Sequence, residues 1–312
     1  MESDLLLGGM SMTEHPMAGK TLVVTGATSG IGLATAIGLA QKGAQVIGVG
    51  RSKTRCSEAE AFIKTAVPDS VITFFQADLA SQKQIRELAA AITTKIKLEG
   101  NGVLDALINN AGTFTSWFVT TGEGFELQFA VNYLAPFLLT HQLLPLLMAA
   151  PTGRVISVSS GSHYGTMIHW KDLQLRKHYN GLWAYKQSKL ANVMFIAELN
   201  RRLGANSNLR AFAADPGLVN TEIGLKQTSG LAYWVWKKRK AKGYLPEDGA
   251  ATSIFLASDP TVQNTDAFYW KNCAPTPPSR YVKQTDARQR LWVLSEKMCG
   301  ISYADYGLKS SS

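Results

Sequence analysis

The chain has 312 residues, enough for one large α/β domain or two small ones, and its 46% apolar and 18% charged content is that of an ordinary globular protein. Lys and Arg number 32 against 23 Asp and Glu, a formal charge of +9. The basic residues are mostly scattered and no helix-turn-helix or Cys/His finger pattern is present, which argues against nucleic acid and leaves an anionic membrane or a phosphate-rich small ligand.

Cys56, Cys273 and Cys299 are odd in number and widely spaced, which suits a reduced, cytoplasmic protein better than a disulfide framework. Residues 1–18 read as a frayed N-terminal tail, with neither the pattern of a signal peptide nor that of an anchor helix. No stretch reaches ~20 uninterrupted apolar residues. His141, His163, His169 and His178 make no metal spacing with any cysteine, so no metal is expected.

In chain order, the apolar run Thr21–Val24 comes first, then the turn Thr25–Gly32 (TGATSGIG), then an apolar helical stretch, Ile31–Leu39. Strand, Gly-rich turn and helix are the context a dinucleotide fingerprint needs. Gly26 suits a positive φ, Gly30 a close approach to a pyrophosphate, and Gly32 close packing of the helix. The helix N-terminus, with Thr28, Ser29 and Ile31 around it, offers free N–H groups to phosphates. The spacing G-x-x-x-G-x-G decides little by itself, because glycines also punctuate ordinary turns.

A second strand, Gln45–Gly50, leads to Arg51, with Lys53 and Arg55 close behind. This is where an acid would read a ribose 2′-hydroxyl; a guanidinium there pairs instead with a 2′-phosphate. Ser57–Ala66 reads as a helix and Val71–Ala77 as a third strand ending at Asp78-Leu79, where Asp78 can accept from an adenine amino group or merely cap a turn. The helix Gln82–Ile96 precedes a fourth strand, Ala106–Ile108, running into Asn109-Asn110-Ala111-Gly112. Phe125–Leu147 is a long apolar helix interrupted at Pro136, whose ring removes a backbone hydrogen bond near Asn132.

Arg154–Ser160 is the fifth strand, and Trp183–Leu203 the next helix, with Tyr185 and Lys189 at i and i+4 on one face. Asn208–Ala214 is a sixth strand before Asp215-Pro216-Gly217, Val219 and Thr221. Pro246–Ala257 and Ala287–Met298 are further helices. Strands alternating with helices predict a mostly parallel sheet with helices on both faces. Without an internal repeat or linker, residues 19–312 are expected to form one domain, with a substrate lid near 222–245 and a C-terminal extension from 260 to 312.

Taken in order, Thr25-Gly26, Gly30-Ile31-Gly32, Asn109 to Gly112, Asn132, Ser160 and the Tyr185-x3-Lys189 pair resemble a short-chain dehydrogenase/reductase. Gly124-Phe125-Glu126, Leu138-Leu139-Thr140, Ser188 to Asn192 and Leu291-Trp292 are similar to its retinol dehydrogenase-like branch. The resemblance covers roughly residues 20–300. It implies a doubly wound Rossmann-type α/β fold, an NADP(H) cofactor and a lipophilic alcohol or carbonyl substrate. It also implies catalytic roles for Asn132, Ser160, Tyr185 and Lys189. The cofactor would lie against Gly26, Thr28, Ser29, Gly30, Ile31, Gly32, Arg51, Asp78, Leu79, Asn110, Ala111, Gly112, Tyr185, Lys189, Pro216, Gly217, Val219 and Thr221. Ser160 is preferred to Ser159 because the family places its serine second in such a pair.

The chemistry suits those residue types. A free phenol titrates near ~10, so Tyr185 needs a neighbouring cation to exchange protons at neutral pH, and Lys189 supplies one. Ser160 would orient the substrate oxygen, and by family analogy Asn132 holds a water in a relay from Lys189. Phe114, Trp117, Phe118, Tyr164 and Trp170 would line the substrate wall. The alternatives are a polar metabolite as substrate, or a non-catalytic cofactor-binding module. The segment Tyr233–Lys242 joins aromatic rings to five basic residues, which suits either a lid or peripheral contact with an anionic membrane. A homodimer is open on the same family grounds.

Overall fold

The computed structural model describes residues 15–217, residue 219 and residues 245–309. Parallel strands β1 (Thr21–Thr25), β2 (Gln45–Gly50), β3 (Ile72–Gln76), β4 (Ala106–Asn109), β5 (Arg154–Val158), β6 (Arg210–Asp215) and β7 (Tyr269–Lys271) form one sheet. The short antiparallel β8 (Ala274–Pro275) closes its edge, giving the order β3-β2-β1-β4-β5-β6-β7-β8. The central strands are buried on both faces, which is why β1 and β5 read as nearly unbroken apolar runs.

Alternate residues feed two cores. Val23, Leu107, Val155 and Ala211 face one, with α3 (Gln82–Glu99), α5 (Ala135–Ala149), α6 (Gly181–Leu203) and α8 (Thr285–Cys299) packed over them. Leu22, Val24, Ile108, Ile156 and Phe212 face the other, covered by α1 (Gly30–Gln41), α2 (Lys53–Ala66) and α7 (Pro246–Ser258). This is the doubly wound Rossmann-type architecture expected. Chain order reverses between β1 and β4, so their carboxyl ends open the crevice in which such sheets bind ligands.

Several boundaries differ from the sequence expectation. Part of the expected tail is ordered: Met17 is buried and its N–H donates to Lys42 O at 2.9 Å. β5 stops at Val158, leaving Ser159 and Ser160 beyond it. The helix Lys53–Ala66 starts earlier than expected because Ser52 caps it, accepting from Arg55 N. The long apolar helix is divided into α4 (Leu127–Phe129), a π-helical turn (Ala130–Leu134) and α5. Leu127–Ala149 is long and apolar enough to cross a membrane, yet 78% of its most apolar window is buried inside the fold. It is a core element here. β7 and β8 were not anticipated.

Candidate active site

The parallel register brings Thr25, Asn109, Val158 and Asp215 to one edge of the sheet. Immediately beyond β1, Gly26 turns the chain at φ +67°, a conformation that favours glycine. A Cβ on Gly32 would stand 2.2 Å from Gly26 O and 2.3 Å from Asn110 Nδ2. Gly32 therefore seats α1 against its own turn and the loop after β4. Asn110 Nδ2 donates to Thr25 O at 2.8 Å, and Thr25 Oγ1 accepts from the N–H groups of Asn110 and Ala111. The Asn110 side chain thus ties β4 to β1.

The start of α1 is open. Its N-cap, Ser29, is exposed and makes no side-chain capping bond, so the first N–H groups are available to an anion. Arg51, Lys53 and Arg55 are exposed at the end of β2, and no acid stands in the first turn of α2. A Cβ on Gly249 would lie 2.5 Å from Val219 Cγ2 and 3.2 Å from Ile31 Cγ1, which brings Val219 over the start of α1. Gly217, at φ +72°, donates its N–H to Asp215 Oδ1. Asp78 Oδ1 accepts from Ala80 N, so the turn-capping alternative holds for that oxygen. Leu79 packs on the core. The glycine cradle, the open helix start and the basic group at β2 fit a phosphorylated dinucleotide. Thr221 and the aromatic–basic segment Tyr233–Lys242 lie outside the described residues.

On α6, which Asn180 caps by accepting from Trp183 N, Tyr185, Ser188, Lys189 and Asn192 share the buried face. Lys189 Nζ lies 5.7 Å from the centroid of the Tyr185 ring and donates to Val158 O at 2.8 Å. Burial lowers the Lys189 ammonium to about 8, with the Asp215 carboxylate pulling the other way. Phe114, buried, packs edge-on to Tyr185 at 5.8 Å between centroids. Ser159 is buried, and its hydroxyl donates to Lys189 O. Ser160 is half-buried and caps the one-turn helix Gly161–His163, accepting from Ser162 N at 3.1 Å.

Asn132 sits in the π-helical turn. Its Oδ1 accepts from Thr113 N at 2.7 Å, and its Nδ2 donates to Thr113 O and Ser188 Oγ. The side chain is engaged with Thr113 and Ser188, and the main-chain carbonyl accepts from Asn192 Nδ2 at 2.7 Å. Of the expected wall, Trp117 and Phe118 are exposed, whereas Trp170 donates from Nε1 to Tyr281 OH. A cavity of about 460 Å³ lies between Tyr164–Met167 and Ser279–Tyr281, against the turn that follows Ser160.

Three participants were not anticipated: Asn192, Asp215 as a charge facing Lys189, and His163. Asn192 had a signal, because it falls at i+7 from Tyr185 on the same helical face. Asp215 and His163 had none.

A family model described as short chain dehydrogenase matches residues 20–231. The chain belongs to this family. It is 36% identical over 310 residues to human retinol dehydrogenase 13, covering 96% of this chain and 90% of that protein. The crystal structure of an uncharacterised protein from Mycobacterium paratuberculosis superposes with a TM-score of 0.73 at 32% identity, covering 95% of this chain and 99% of that one. A Shigella flexneri short chain dehydrogenase solved with NADP has a TM-score of 0.65 at 21% identity, over 84% of this chain and all of that one; at that identity it speaks for the fold. As a short-chain dehydrogenase with retinol dehydrogenase relatives, the chain is an oxidoreductase of alcohol and carbonyl groups, of the class that uses NAD(P)(H).

Proposed function

We propose that this short-chain dehydrogenase interconverts a lipophilic alcohol and its aldehyde or ketone with NADP(H), Tyr185 serving as the acid and base. One observation carries the reading: the buried ammonium of Lys189 lies beside the Tyr185 ring, at the crevice that the Gly-rich turn and the start of α1 also face. The bound nicotinamide would supply or accept the hydride. Gly26 to Gly32 and the first N–H groups of α1 would hold its pyrophosphate, and Arg51 the 2′-phosphate.

In carbonyl reduction, Ser160 Oγ and Tyr185 OH donate to the substrate oxygen and fix its orientation. Tyr185 then gives up its proton to that oxygen, and the Lys189 charge stabilises the phenolate left behind. In oxidation the same phenolate takes the hydroxyl proton. Phe114 beside Tyr185 and the exposed Trp117 and Phe118 favour an apolar substrate.

The test is a substrate screen that follows NADPH absorbance over retinal, aliphatic and aromatic aldehydes, ketones, sugars and acyl thioesters. Turnover of the lipophilic carbonyls, lost in Tyr185→Phe with NADPH binding intact, is the expected result. Preference for sugars or thioesters would overturn the substrate class. Full activity of Tyr185→Phe would overturn the mechanism.

A further inference from the structure

His163 is fully buried three residues beyond Ser160, and it is hydrogen-bonded on both ring nitrogens. Nε2 faces the backbone N–H of Ser279 at 3.1 Å, and Nδ1 faces the backbone carbonyl of Ser160 at 2.9 Å. An amide N–H only donates and a carbonyl only accepts, so the two partners leave one arrangement: a neutral ring with its proton on Nδ1. A second proton on Nε2 would point at the Ser279 N–H. The ring is also held by its neighbours, with centroids 4.0 Å from Tyr164 and 4.7 Å from Tyr269.

The contact spans 116 residues and joins two segments that backbone pairing does not connect. Tyr164 OH reinforces it by donating to Pro277 O, and Tyr269 OH donates to Asp215 Oδ2 at 2.8 Å. The titratable groups placed about the ring are Tyr164 on its own turn, Asp215 on β6 and Tyr269 on β7. Burial holds the imidazole below its ordinary value, although the Ser160 carbonyl and the Asp215 charge pull the other way.

We propose that His163 is a positioning residue: as a neutral imidazole it donates from Nδ1 to the carbonyl of Ser160 and so holds the backbone from which the Ser160 hydroxyl points, while the Ser279 N–H anchors the ring through Nε2. With its carbonyl held and the backbone extended at φ −170° and ψ 151°, Ser160 keeps only side-chain rotation. The inference rests on the catalytic reading of Ser160 given above.

Two substitutions separate the two hydrogen bonds. In H163N the amide occupies the place of Nδ1 and can still donate to Ser160 O. In H163Q it reaches only the place of Nε2, toward Ser279. Positioning predicts that H163Q loses tenfold or more in kcat, with KM for NADPH within about twofold, because small displacements of a reacting group are costly. H163N should keep kcat within about threefold while losing thermal stability. In an S160A background, H163Q should lower kcat by less than about twofold further, since the group it positions is gone.

Equal losses in H163N and H163Q, or a full multiplicative loss in the double variant, would overturn the proposal. Unchanged kcat in S160A would overturn the catalytic reading of Ser160 instead. Nitrogen-15 spectra of labelled histidine judge the clamp without turnover. A neutral Nδ1–H ring persisting at pH 6 supports it, and a ring titrating like a free histidine overturns it.

Discussion

Asn192 Nδ2 on α6 donates at 2.7 Å to the main-chain carbonyl of Asn132, sixty residues earlier in the chain. Pro136 has no N–H, so the carbonyl one turn before it loses its helical partner, and the chain relaxes there into the π-helical turn Ala130–Leu134. The side chain that meets this carbonyl sits three residues past Lys189 and accepts in turn from Ser157 Oγ at 3.0 Å. The kink that presents Asn132 is therefore fastened to the helix that presents Tyr185 and Lys189. Asn192→Ala should cost about 1–3 kcal/mol in urea unfolding, because it strands a buried carbonyl. Asn192→Asp, similar in shape but without the donor, should cost at least as much. A neutral Asp variant would show that packing alone matters.

Cofactor choice is the second prediction. Arg51 is exposed, and its guanidinium makes no hydrogen bond or ion pair with the other described residues. A charge-assisted hydrogen bond is worth about 1.5–3 kcal/mol, so Arg51→Asp should raise KM for NADPH by roughly ten- to hundredfold and spare NADH. Steady-state kinetics with both cofactors decide it. An unchanged ratio would remove Arg51 from the binding site.

Much of this was legible because the informative signals were local. Tyr185 and Lys189 are four apart on one helix, the Gly-rich turn is contiguous, and Pro136 announces a break at its own position. What could not be read depends on pairings between distant segments. β7 and β8 are three and two residues long, too short for a periodicity to show. Without β7, nothing places Tyr269 beside Asp215 or Ser279 beside His163. The Asn132 side chain looked like a relay element, but its engagement with Thr113 depends on how the loop after β4 folds back.

The third prediction concerns pH. In the free enzyme Lys189 is lowered to about 8 by burial, opposed by Asp215. Above that value the ammonium loses its proton and the phenolate of Tyr185 loses its partner. The pH profile of kcat/KM for carbonyl reduction, which reports the free enzyme, should therefore fall on its alkaline side near pH 8. Asp215→Asn removes the negative charge that favours the ammonium, so the break should move to lower pH. A break that stayed in place or moved upward would deny the coupling.

The fourth prediction is the acid side of stability. His141 and His163 are both buried, and burial holds both rings below their ordinary value. Unfolded histidine titrates near ~6.5, so as pH falls below that point the unfolded chain takes up two protons that the folded chain refuses. Buried Glu126 works in the opposite direction. Desolvation raises its carboxyl, so the folded chain takes up a proton there before the unfolded chain does. Two rings against one carboxyl leave a net loss of stability as pH falls from roughly 6.5. Asp172 and Asp259, whose carboxyls are held below the usual range by hydrogen bonds, contribute only nearer pH 4 and do not enter this window. Unfolding free energies between pH 7.5 and 5 should show that slope, and His141→Gln, which removes one of the two rings, should flatten it. Stability that rose on acidification in the wild type, or a slope untouched in His141→Gln, would mean that these rings charge freely in the folded protein.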